Sequence, residues 1–355
     1  MQDLSDNLMK TIVIKYSAII LALISAALFG ITTPVNKFLL NDINPFFLAG
    51  LLYLGASTGL LPVILVRGEF PHLLNLNRSN KIRLSGSIVL GGILGPILIL
   101  SGLKFASASS VSLWLNLELA ATTVLGFLFF KDFLGIKGWL GVMLALVSGL
   151  ILTVNEGHSG IISAVLVGSA CVCWGFDNHF TALIDGISAV QSTFIKGLFA
   201  GTLNTFAGYY FSDRLISAEF IFYALLLGSV SYGISIVLYI ISAQKLGAIR
   251  SQIIFSSAPF FGVFFSMIFL SESISQLQIV SFSLFVFSII LFMFEKHEHY
   301  HHHHEVEHTH FHRHDDMHHQ HHHDKKISYH EHLHKHENEE HAHPHWPDMH
   351  HRHKH

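Results

Sequence analysis

"LNLELAATTVLGFLFFKDFL", residues 115–134, and "FSSAPFFGVFFSMIFLSESI", residues 255–274, decide how this chain is built. Each is a long apolar run closed by an acid, Asp132 in the first and Glu272 in the second, and the two lie 140 positions apart. The words before them keep that spacing, with "LKFASA" (103–108) over "AQKLGA" (243–248). Further upstream, "SAALFGITTPVNKFLL" (25–40) lies over "SACVCWGFDNHFTALI" (169–184). Phe29-Gly30 falls on Trp174-Gly175, at a spacing of 145. The five extra positions fall in the longest loop of the body, "RGEFPHLLNLNRSNKIRLS" (67–85). A steady spacing over several segments reads as an internal duplication.

The duplicated unit reads as membrane. Hydrophobic residues make up 51% of the chain and charged residues 13%, about half the charged share of a soluble domain, and mean hydropathy is +0.48. A helix needs about 20 apolar residues to cross a bilayer. Ten stretches qualify: 16–38, 44–66, 84–103, 108–130, 137–155, 160–182, 189–211, 218–242, 250–270 and 276–294. They are apolar all round, which excludes the amphipathic helices of a soluble bundle. The reading is an all-α membrane protein of ten transmembrane helices as two inverted five-helix repeats, followed by a disordered His-rich tail. Residues 1–15 form an N-terminal segment, 16–155 the first repeat, 160–294 the second and 295–355 the tail. Five spans per copy is an odd number, so the copies run in opposite directions, the architecture of many secondary transporters.

Charge sets the expected orientation. Lys10, Lys15, Arg67, Arg78, Lys81, Arg83, Lys131, Lys137, Lys245 and Arg250 fall on one side, and Lys37, Lys104 and Arg214 on the other. The positive-inside rule then places both termini in the cytosol, and the expected location is the cytoplasmic (inner) membrane. The N-terminus lacks a cleavable signal pattern. No basic body points to nucleic acid. Cys171 and Cys173 share one apolar stretch, so no disulfide framework is expected.

These words resemble the drug/metabolite transporter superfamily, and within it the EamA-type permeases. "LFG" (28–30) and "CWG" (173–175) follow small-residue segments in the first helix of each copy. "GLKFASAS" (102–109) ends the third helix, and "LNLE" (115–118) and "SSAP" (256–259) open the apolar runs of the two fourth helices. The likeness covers about residues 16–294. It departs at "LLYLGA" (51–56), where the family often has Arg, and at Leu119, where Pro often follows the acid. The resemblance implies ten helices, alternating access and export, and leaves the substrate open.

Charged groups at mid-bilayer cost about 2.5–3.5 kcal/mol on insertion scales, so they mark cavities or partners. Glu118 is a candidate for coupling or for binding a cationic group, with Asn116 beside it; the alternative is a buried acid that fixes packing. Asp177 and His179 point about 200° apart on a helix and cannot form one bidentate site there. Lys196 is a counter-ion for Glu118 or Asp177, an anion binder, or a snorkelling lysine. Trp114, Trp174 and the Phe-rich ninth and tenth helices read as lipid-facing and packing residues. Pro34, Pro96 and Pro259 read as kinks, and Gly91, Gly92 and Gly95 as sites of close helix approach. Nucleophile–base pairs, phosphate loops and H-E-x-x-H are absent, so the chain does not read as an enzyme or an ATP-driven pump.

The tail asks a separate question. From His297 on, 26 of 59 residues are His. Mixed with acids and aromatics, this is no purification tag, and it is too polar for a packed core. Such tracts bind late first-row metals through neutral imidazole, with Ni, Zn, Co and Cu all suitable. The candidate ligands are His297, His299, His301, His302, His303, His304, His308, His310, His312, His314, His318, His319, His321, His322, His323, His343, His345, His350 and His351. The body itself needs no cofactor. Three readings follow. A transporter of a small solute carries a metal-sensing tail; or a Ni/Co/Zn exporter collects its ion on the tail; or a tethered metal buffer does not transport. Expected partners are the lipid bilayer, the solute or ion, transition metals and a second copy as a homodimer.

Overall fold

The structure is a computed structural model that describes residues 16–68, 76–211 and 216–294 in full. It describes residues 2–15 and four short tail segments by backbone alone. Ten long helices run through the body: α1 (Tyr16–Leu39), α2 (Pro45–Arg67), α3 (Arg78–Leu103), α4 (Ala108–Phe129), α5 (Ile136–Asn155), α6 (Gly157–Ala182), α7 (Ala189–Tyr210), α8 (Ala218–Leu246), α9 (Ala248–Leu270) and α10 (Gln276–Met293). Among the described residues nine are long and apolar enough to cross a membrane. The other, α7, has 22 residues and carries Gln191, Lys196 and Asn204 on its way through the bundle.

Local chemistry sets where these helices start. Pro45 follows Asn44, whose side chain accepts from Phe47 N at 2.9 Å. Ser188–Gln191 and Ser275–Gln278 are capping boxes at the starts of α7 and α10. Gly247, at φ 86°, makes the turn between α8 and α9 that a side chain would strain.

The halves exchange their first helices. α1 packs on α8 and α9, while α6 packs on α3 and α4. The second helices meet each other, α2 on α7, and the fifth helices meet likewise, α5 on α10. Small residues allow the close approach: a Cβ on Gly201 would stand 2.6 Å from Leu54 N, and one on Gly208 would overlap Phe47.

Departures from regular helix also come in pairs. α3 is π-helical over Ser87–Leu94 and α8 over Gly228–Ile234. α4 breaks at Leu115–Asn116 and α9 at Ser256–Ser257. α1 breaks at Ile31, three residues before Pro34, whereas α6 is continuous from Gly157 to Ala182. Such π-turns and breaks survive at membrane depth where side chains satisfy the freed backbone.

The outer face is apolar, with Phe264, Phe269, Phe287 and Val154 exposed. One expectation is corrected. Trp114 is fully buried and its Nε1 donates to Gly149 O at 2.9 Å, and Trp174 is 7% exposed and turned inward. Neither faces lipid, because a buried indole N–H requires an acceptor that hydrocarbon lacks. In the tail, Glu298–His302 pairs with Glu340–Pro344, and Val306–Arg313 with Tyr329–His336, both antiparallel. The remainder of the tail lies outside the described residues.

Candidate functional site

A cavity lined by residues of both halves lies near the centre of the bundle. Its walls come from α1, α2, α4, α6, α7, α8 and α9. Six aromatic rings form a continuous lining. Phe29 touches Trp174, Tyr232 and Phe255 at centroid distances of 6.1, 5.6 and 5.4 Å. Tyr53 meets Tyr232 at 5.4 Å, and Tyr239 meets Phe255 at 5.0 Å.

Three charged side chains share this space. Lys196 is 1% exposed, and its Nζ donates to both carboxylate oxygens of Asp177, at 2.8 and 2.7 Å. Ser87, from the π-segment of α3, also donates to Asp177. This pair cancels its own charge, as a buried ion pair must. Glu118 is 6% exposed and has only neutral hydrogen-bond partners. Asn178 Nδ2 donates to its Oε1 at 2.8 Å, and that amide also lies 3.1 Å from Thr122 Oγ1 and 3.2 Å from Gln252 Oε1. Glu118 sits in the first turn of the second half of α4, where the free N–H groups favour a carboxylate. Asp177 and Lys196 therefore compensate each other, and Glu118 stands without a charged partner among the described residues.

The π-segment of α3 lies behind the wall, bonded to side chains that line it. Its carbonyls at Gly91 and Gly92 are met by side chains from three other helices. Tyr53 OH and Trp174 Nε1 donate to Gly91 O at 2.6 and 3.1 Å, and Asn204 Nδ2 donates to Gly92 O at 3.1 Å. A Cβ on Gly91 would overlap the Asp177 carboxylate, so the expected close approach is real and touches the charged pair.

Of the residues singled out in the sequence, Glu118, Asp177 and Lys196 line one cavity. Lys196 pairs with Asp177 and does not snorkel. Asn116 lies at the break in α4 with its Nδ2 on Leu113 O, and it does not line the cavity. His179 points away from Asp177: its ring stacks on Phe130 at 4.3 Å, its Nε2 lies 2.9 Å from Thr122 O, and its Nδ1 lies 3.8 Å from Asp132. The His ligands of the tail lie outside the residues described with side chains. Among the described residues no three His, Cys, Asp or Glu side chains come together. The aromatic lining escapes sequence reading. The available signal was tyrosine at mid-span (Tyr53, Tyr232, Tyr239), away from the interfacial belts where it is enriched.

The family model for the EamA-like transporter family matches residues 16–154 and again 159–294. An uncharacterized transporter from Methanothermobacter thermautotrophicus is 27% identical over 288 residues, covering 74% of this chain and 82% of that protein. A solved crystal structure superposes with a TM-score of 0.58 at 15% identity, covering 78% of this chain and 95% of the other, and so shares the fold.

Proposed function

The chain belongs to the EamA-like transporter family, and from that membership and the cavity chemistry we propose that it is a secondary transporter that moves a small organic solute by alternating access. The observation that carries this reading is Glu118. It is a buried carboxylate without a cationic partner, in a cavity where Asp177 and Lys196 already neutralise each other. A lone charge there is costly, so Glu118 cycles between a proton or cation and a free state as the cavity opens to each side. The aromatic walls favour a solute with an apolar body, and Tyr239 OH, buried without a hydrogen-bond partner, offers it a polar contact.

Export, residence in the cytoplasmic membrane and cytosolic termini follow from family likeness and from the Lys/Arg count. The tail binds Ni, Zn, Co or Cu and regulates the body. Support for regulation over metal transport comes from the cavity lining, which offers two carboxylates, one of them paired with an amine, and no imidazole or thiol.

The experiment is flux into proteoliposomes with a panel of amino acids, organic cations, nickel, cobalt and zinc, comparing the native chain with Glu118→Gln. Loss of at least tenfold in the rate for one organic solute is expected. Equal rates in both proteins for every solute that moves would remove Glu118 from the mechanism. Movement of metals alone would restore the metal-exporter reading.

A further inference from the structure

Glu118 also borders a second, smaller pocket, on the other side from the aromatic rings of α8. It is lined by Gly30, Thr32, Thr33, Leu115, Glu118, Gln252, Phe255, Ser256 and Pro259, among others. Three helix breaks converge there: Ile31 in α1, Leu115–Asn116 in α4 and Ser256–Ser257 in α9. We propose that this pocket is a binding site for a monovalent alkali cation, held by oxygen atoms of Glu118, Thr32, Thr33 and the broken ends of α1 and α9.

The donor set is the first argument. In a regular helix the carbonyl of Gly30 would receive the N–H of residue 34, and that of Phe255 the N–H of residue 259. Both positions are proline, which has no N–H to give. Each proline thus removes the regular helical donor of one carbonyl whose residue lines the same pocket. Thr32 and Thr33 are 3% and 5% exposed and line the pocket, so their hydroxyls add two oxygen donors there. A hard cation takes carboxylate, hydroxyl and carbonyl oxygens together. Unwound carbonyls at broken transmembrane helices are a recurrent cation-binding device.

Charge is the second argument. When Glu118 is ionised, its charge is the one in the cavity that Asp177 and Lys196 leave uncompensated. A monovalent cation neutralises it, while a divalent one would leave a positive charge at membrane depth. Nitrogen and sulfur ligands are missing from the lining, which selects against late transition metals. The site differs in this from the His-rich tail. Because Glu118 faces both pockets, an ion bound here would govern whether its carboxylate is free toward the aromatic cavity.

This inference rests on the transporter reading, and the test separates the two. The full-length protein, purified in detergent, is heated in NaCl, KCl or choline chloride at one ionic strength. Saturable stabilisation by sodium or potassium over choline is expected. Thr33→Val, which keeps the shape and removes the hydroxyl, should weaken the midpoint about tenfold, and Glu118→Gln should abolish the effect. Equal melting of the native protein in all three salts overturns the site, whether or not the variants fold. Solute flux is then measured in the same salts. Flux that needs Glu118 but is equal in sodium, potassium and choline overturns the ion site and leaves the transporter reading standing. Flux indifferent to Glu118 overturns both.

Discussion

Lys196 tells most about how a charge survives at the centre of this molecule. Its stem runs along the small residues of the π-segment, with Cγ near Gly92, and its ammonium group is spent on Asp177. Removing one member of a buried pair leaves the other uncompensated, at a cost of about 3–5 kcal/mol. Lys196→Met should therefore lower the melting temperature of the detergent-purified protein markedly. The double variant with Asp177→Asn should recover most of the loss, because two neutral side chains leave no orphan charge. A double variant as unstable as Lys196→Met would show that the pair matters through shape and not charge. At this scale the sequence was informative about ions and uninformative about rings. Glu118, Asp177 and Lys196 stand out from apolar runs because each violates its surroundings. Phe29 and Phe255 violate nothing, and an apolar ring on a membrane helix looks the same whether it meets lipid or a cavity.

Helices are the scale at which sequence and structure agree best. Ten apolar runs became ten helices because a bilayer-length run has few other options. The expected third span began at residue 84, whereas α3 starts at Arg78, since a polar first turn capped by Asn77 extends it beyond the apolar stretch. The irregularities were half legible. Pro34 and Pro259 do sit at breaks, and Pro96 follows the π-turn over Ser87–Leu94, where it cannot bond the Gly92 carbonyl that Asn204 meets instead; the π-turn over Gly228–Ile234 has no proline to mark it. The fit around the first π-turn is testable. Gly91→Ala places a methyl group on the Asp177 carboxylate and should cost about 1–3 kcal/mol by overpacking. Gly168→Ala, in α6 with nothing within 4 Å of the added Cβ, should be neutral or gain up to about 1 kcal/mol from helix propensity. Melting of the two variants side by side makes the comparison, and equal effects would mean that α3 and α6 are not in contact at Gly91.

For the whole molecule, the open relation is that between an apolar body and a tail that holds 26 of the 29 histidines. The duplication was legible because a gene copy leaves a spacing behind even where identities fade. The pairing of copies, with α1 and α6 exchanged, was not, since it depends on faces that no periodicity marks in a helix apolar all round. The tail has no such constraint, and its chemistry is read from composition alone. Neutral imidazole binds metal and protonated imidazole does not, so nickel or zinc bound by the full chain should be released as pH falls from about 7.5 to 5.5. Deleting 297–355 should remove most of that binding in a calorimetric titration, because the cavity residues Glu118, Asp177 and Lys196 offer nickel or zinc no imidazole or thiolate. Flux separates regulation from storage. If the tail regulates, the truncated body keeps its solute flux and loses the response of that flux to added metal, while Glu118→Gln in the full chain loses flux and keeps metal binding. If the tail is a buffer on an idle body, neither variant moves any solute and only the metal titration changes. If the tail feeds a metal pathway, truncation lowers metal flux and leaves organic solutes untouched. The first pattern is the one expected, since the uncompensated charge of the body lies among rings and amides at mid-membrane, in a setting chemically unlike the imidazoles that would collect the metal.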